Sequence, residues 1–247
     1  MNEAGAASLT RPASRSLALS WSGGKDSALA LWTLRSEYDL WPRALVTTVT
    51  DAYDRVSIHG VRRELLAQQA KAADVELVEV TVPAACPNDV YERRMDEALA
   101  SQRLRALKTI AFGDLFLADV RAYREIRLAA IGKEALFPLW RRDTTALARR
   151  FVDAGFEAIL VCVDPAMLDA SFAGRHFDHD LLADLPARVD PCGENGEFHT
   201  FVYAGPILSQ PVACEVGETV ERDGSVFCDV LPRPQVRADR NERVERL

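Results

Sequence analysis

The chain has 247 residues, 48% of them hydrophobic, which is enough to fill one large core or two small ones. Its 30 basic and 37 acidic residues leave a net charge of −7, which excludes a global positive field that would draw it onto nucleic acid or an anionic membrane. Five cysteines, an odd number with no C-x-x-C pair, exclude a disulfide scaffold and fit a reducing cytoplasm.

Residues 1–16 are small and polar and read as a floppy arm. The apolar run at 17–21 is too short for a signal-peptide core or a membrane span. From there, strand-length apolar runs at 17–21, 44–50, 75–82, 109–112 and 158–163 alternate with helical periodicity at 26–35, 60–73, 88–107, 119–131 and 144–154. That alternation predicts an α/β fold, a Rossmann-like parallel sheet with flanking helices. Beyond Pro186 the texture changes to strands at 198–203, 207–216 and 225–231 with Gly and Pro between them, a smaller C-terminal α+β region. Gly132 and Pro138 mark a boundary. The expected division is an arm over 1–16, a nucleotide-binding domain over 17–135, a substrate region over 136–232 and a disordered charged tail over 233–247.

The segment Ser22-Gly23-Gly24-Lys25-Asp26-Ser27 follows the first predicted strand and opens the first predicted helix. Unpaired backbone N–H groups and the positive dipole end of a helix favour an anion there, and paired glycines let the backbone approach phosphate oxygens. Ser22 and Ser27 add hydroxyls, and Lys25 adds a mobile positive charge. The Walker pattern fails, because Leu19 stands where its first glycine belongs and Asp26 follows the lysine. The segment instead resembles the PP-loop of the N-type ATP pyrophosphatases, which implies ATP as the bound nucleotide and a fold of HUP/PP-loop type. Asp26 is a candidate Mg2+ ligand or a first-turn acid favoured by the helix dipole. At the switch point of such a sheet, Val49 and Thr50 fall near the adenine, and Gly113 and Asp114 near the reacting groups.

A second cluster, Asp190 to Thr200, gathers Glu194, Glu197, His199 and Thr200 around two glycines just before a strand, a density of titratable groups typical of a site. Taken with Ser57-Ile58-His59-Gly60-Val61, Phe112-Gly113-Asp114, Pro138-Leu139-Trp140 and Gly205-Pro206, it makes the chain similar to the diphthine-ammonia ligase family from about Leu17 to about Val212. The resemblance implies amide formation: a carboxylate attacks ATP to give an acyl-adenylate and pyrophosphate, and ammonia then displaces AMP. Lys25, Asp114, Glu194, Glu197, His199 and Thr200 are the candidate catalytic residues. Ser22, Gly23, Gly24, Lys25, Asp26, Ser27, Val49, Thr50, His59 and Gly113 are the candidate nucleotide-binding residues. Glu194 and Glu197 would bind ammonium or take its proton, His199 or Thr200 would orient the substrate, and Lys25 would stabilise the departing pyrophosphate. His59 either caps locally or reaches the nucleotide.

The expected partners are a small-molecule or protein carboxylate and free ammonium, with no membrane or nucleic acid and with a homodimer left open. Asn195, His199 and Ala204 depart from the family pattern, so an acceptor other than diphthine also stays open. Two rivals remain. One is a PP-loop tRNA-modifying enzyme using Arg141, Arg142, Arg149 and Arg150 as a basic face, and the other is a nucleotide sensor without catalysis.

Overall fold

In the computed structural model, which describes residues 17–57 and 59–234, the chain alternates strand and helix from the start. β1 (Leu17–Ser20), α1 (Lys25–Glu37), β2 (Ala44–Thr50), the short β3 (Arg55–Val56), α2 (Arg63–Ala73), β4 (Glu76–Val82), α3 (Asn88–Ala100), β5 (Thr109–Ala111), α4 (Ala118–Ala130) and β6 (Glu134–Leu136) come first. α5 (Thr144–Asp153), β7 (Glu157–Val163), α6 (His179–Asp184), β8 (Phe198–Ala204), β9 (Cys214–Arg222) and β10 (Ser225–Pro232) follow. The arm expected over 1–16, and residues 235–247 of the expected tail, lie outside the described residues.

The first sheet runs β4-β2-β1-β5-β6 with all neighbours parallel, and β3 lies antiparallel against the last two residues of β2. Alternation along each strand sends side chains to opposite faces. Leu17 and Leu19 join Leu29, Leu31, Leu65 and Leu66 under α1 and α2, whereas Ala18, Ala44 and Val46 join Leu99 and Leu128 under α3 and α4. Strand order reverses between β1 and β5, so the carboxyl ends of those two strands frame the crevice where an open α/β sheet binds its ligand. Both chemistry-bearing segments expected in this half, Ser22–Ser27 and Gly113–Asp114, emerge there.

The second sheet, β8-β7-β10-β9, is antiparallel throughout. Its apolar side, with Ile159, Val161, Phe198, Phe201 and Val230, belongs to the same apolar cluster as α1 and α2, so one core runs under both sheets.

Several expected elements are placed differently. The run at 158–163 forms β7 of the second sheet, not a strand of the first. The interruption at 132–140 contains β6, which completes the parallel sheet. The helix expected over 88–107 ends at Ala100 and continues as turns. Residues 207–213 form a loop rather than the start of a strand, and β9 begins at Cys214.

Candidate active site

The phosphate-type loop is held from three directions. Gly23, at φ +79°, turns the chain, and Gly24 passes so close to β8 that a Cβ on it would lie 2.9 Å from the Thr200 carbonyl oxygen. Val202 N donates to Gly23 O at 2.9 Å, and Lys25 N donates to Thr200 Oγ1 at 3.0 Å. The third anchor is Gln69 of α2, fully buried, which donates through Nε2 to the carbonyls of Gly23 (2.9 Å) and Val202 and accepts from Trp21 Nε1 at 3.1 Å. Sequence reasoning missed Gln69, since a lone glutamine inside an amphipathic helix carries no spacing signal.

Lys25 is 2% exposed, with its Nζ 2.9 Å from both oxygens of Asp26, bonded to the Cys192 carbonyl and 5.5 Å from the centre of the Phe198 ring. Burial pulls its pKa down, but the charge of Asp26, helped by Glu194, more than offsets this, and the ammonium titrates above its usual range. Ser27 Oγ donates to Gly24 O at 2.9 Å and lies 3.4 Å from Ser22 Oγ.

Ser22, Gly24, Lys25, Asp26, Ser27, His59, Gly113, Asp114, Glu194, His199 and Thr200 line one cavity of about 380 Å³, so the two sequence clusters, some 170 residues apart, meet. Glu194 Oε1 accepts from the backbone N–H of Leu115 at 2.7 Å and of Phe116 at 3.4 Å. Burial nonetheless pushes its pKa up to about 7, with Asp26 adding to the rise. His59 and His199 sit with ring centres 4.4 Å apart, and burial lowers the pKa of both imidazoles, that of His199 to about 3. Asp114 pairs with Arg124 of α4 at 2.8 Å, and the guanidinium lies 4.3 Å from the centre of the Phe112 ring.

Four expected site residues, Glu197, Val49, Thr50 and Gly23, are not on this wall. Glu197, completely buried, spends Oε1 on Asp190 N (2.9 Å) and Asn195 Nδ2 (3.0 Å) and Oε2 on Asn195 N (3.0 Å). Burial pushes its pKa up, but these bonds prevail and hold it below the usual carboxylate value. Val49 and Thr50 pair with β3 instead, and Thr50 Oγ1 is 2.9 Å from Ser57 Oγ. Gly23 lies behind the loop, against Leu66 and Gln69.

A second, mainly apolar cavity adjoins the first and shares Ser20, Phe112 and Arg124 with it; Val46, Leu99 and Ile110 are on its floor. Elsewhere, Arg142 and Arg150 share the one carboxylate of Glu37, at 2.7 and 2.6 Å, which offsets one of the four positive charges of the candidate basic face. The Cys192 thiol bonds to Thr144 O at 3.3 Å, and burial pushes its pKa far up, which makes it a poor nucleophile. No helix among the described residues is long and apolar enough to cross a membrane.

A parallel sheet carrying a glycine loop at its switch point, closed over by a second sheet, defines an α/β protein of the HUP type. Two family models refine this: the diphthamide synthase N-terminal domain matches residues 14–135 and the diphthamide synthase C-terminal domain matches residues 143–230. The chain belongs to the diphthamide synthase family. It is similar to the diphthine–ammonia ligase of Danio rerio, 31% identical over 124 residues covering 44% of this chain and 46% of the relative. It is also similar to the diphthine–ammonia ligases of Schizosaccharomyces pombe, at 26% over 126 residues (49% of this chain, 21% of the relative), and Homo sapiens, at 26% over 117 residues (44% of each). The chain thus spans less than half the length of these curated relatives.

Proposed function

We propose that this chain is an ATP-dependent ligase that joins a carboxylate to ammonia through an acyl-adenylate, releasing AMP and pyrophosphate. The observation that carries the reading is the single cavity lined by the Ser22–Ser27 loop, the Lys25 ammonium and a carboxylate, Glu194, whose pKa lies near 7.

The loop suits the β and γ phosphates, with Lys25 and the helix dipole facing the charge that grows on the leaving pyrophosphate. Thr200 Oγ1 already accepts from Lys25 N and keeps its own proton to donate to a phosphate oxygen. The adenine is assigned to the side of the adjoining apolar cavity, which shares the wall at Ser20 and Phe112; at about 70 Å³ that cavity has to widen to take a purine ring. Mg2+ held beside phosphates needs only one or two protein carboxylates, and Asp26, with its side chain 32% exposed at the cavity, suits that part. The metal would neutralise phosphate charge.

In the first step an acceptor carboxylate oxygen bonds to the α-phosphorus and the bond to pyrophosphate breaks. In the second, ammonia attacks the acyl carbon, AMP leaves with the former carboxylate oxygen, and Glu194 takes the surplus ammonia proton. Glu197 acts indirectly, by fixing the 190–197 loop that presents Glu194. The relatives' name supplies diphthine as one acceptor, and the departures at Asn195, His199 and Ala204 make other carboxylates equal candidates.

The test is incubation with ATP, magnesium, ammonium and a panel of carboxylates including diphthine peptides. The reading requires AMP and pyrophosphate in amounts that depend on both carboxylate and ammonium. Release of ADP and phosphate, or AMP release indifferent to added carboxylate, would overturn it.

A further inference from the structure

His59 reaches the cavity from the connection between β2 and α2, and a different part of the molecule holds that connection. Its base is closed on itself: Arg55 and Arg62 form a backbone bridge, and Val56 N donates to Val61 O at 2.8 Å. Both arginines then turn to one carboxylate, Asp229 of β10. Arg55 Nη1 donates to Oδ1 at 2.8 Å, Arg62 Nε to Oδ1 at 3.1 Å and Arg62 Nη2 to Oδ2 at 2.6 Å, while Arg55 Nη1 also donates to Gly60 O at 2.7 Å. Phe227 of the same strand backs the tip so closely that a Cβ on Gly60 would lie 3.0 Å from its ring.

The second sheet is shaped for this contact. The ladder between β9 and β10 slips by one residue between Cys228 and Val230, leaving Asp229 opposite both Gly217 and Glu218. Such a bulge increases local twist and re-aims a side chain, and bulges concentrate beside functional sites. Gly217 makes room for it, because a Cβ there would lie 3.2 Å from the Asp229 carbonyl oxygen. Charge-assisted bonds to both ends of a short loop fix its position more firmly than neutral ones.

We infer that Asp229 is a positioning residue: from the second sheet it clamps both ends of the Arg55–Arg62 loop and thereby holds His59 against His199 on the wall of the nucleotide cavity. The inference rests on the nucleotide reading of that cavity for its consequence, but not for its geometry. The second sheet then contributes to the site twice, through Thr200 and His199 directly and through Asp229 at a distance.

The experiment compares the full chain with Asp229→Asn. NMR cross-peaks between the ring protons of His59 and His199 should be present in the former and lost in the latter. The ATP dissociation constant should rise about fivefold, and that rise should vanish when Asp229→Asn is made in a His59→Ala background, which a general loss of stability would not produce. Retained cross-peaks, or the same fivefold loss in the His59→Ala background, would overturn the assignment. Should Asp229→Asn not fold, Arg62→Gln, which leaves Arg55 on the carboxylate, is read by the same two criteria. If the unaltered chain binds no ATP, the nucleotide reading fails, and the ring cross-peaks alone decide whether the clamp exists.

Discussion

Glu194 and Glu197 stand three residues apart in one motif, yet they face opposite ways. Glu194 hangs into the cavity with a pKa near 7, which suits a base for ammonium at neutral pH. Glu194→Gln should lower ammonium-dependent turnover about 100-fold, at the lower end of what a positioned base contributes, and leave ATP affinity unchanged. The turnover of the unaltered chain should rise with pH through about 7, and the variant should lose that limb. The same shift has a stability consequence of defined sign. A carboxyl whose pKa rises on folding from 4.5 to about 7 favours the folded state most below 4.5 and loses that contribution as pH climbs through 7. Glu194→Gln should therefore raise Tm more at pH 8 than at pH 5, as thermal melts at the two pH values would show. For Glu197 the expectation differs, since its carboxylate is held by donors of Asp190 and Asn195 inside its own loop. Glu197→Gln should lower Tm and turnover together, because an amide NH2 would face donors. The motif revealed that this loop carries chemistry, but not which carboxylate turns outward, because burial and partners are set by the fold around it.

Elements whose information is local were legible in the chain. β2 spans the expected 44–50, and the loop from strand to helix at Ser22–Ser27 stands where the Gly-Gly pair placed it. What needed distant residues was not. A run of six apolar residues reads as a strand buried on both faces of a parallel sheet, and β7 is such a run; its neighbours are the antiparallel β8 and β10. Residues 207–213 carry Ile207, Leu208 and Val212 and so read as the start of a strand, but Pro206 and Pro211 each remove a ladder donor, and Val212 N reaches Tyr203 O only as a single bond. Gln69 belongs to this scale too, as it ties α2 to the phosphate loop and β8 with one amide. Gln69→Leu should cost about 1–3 kcal/mol for each buried partner left unpaired. Urea unfolding of the variant checks this, and a shift under 1 kcal/mol would contradict the role.

Across the whole molecule, the nucleotide cavity is a product of both sheets. The first supplies the helix N-terminus, Lys25 and Asp26, and the second supplies Glu194, His199 and Thr200 on the connection into β8 and its first residues. One core passes beneath both, so a cut near residue 136 should leave neither half with a complete site. The central claim is that the Ser22–Ser27 backbone receives the phosphates of ATP, and the most direct measurement is amide NMR of the full chain titrated with ATP and magnesium. The account predicts the largest shifts at Ser22, Gly24, Lys25 and Thr200, which line the cavity. Saturating ATP that leaves those four amides unmoved, or moves only amides remote from them, would contradict it.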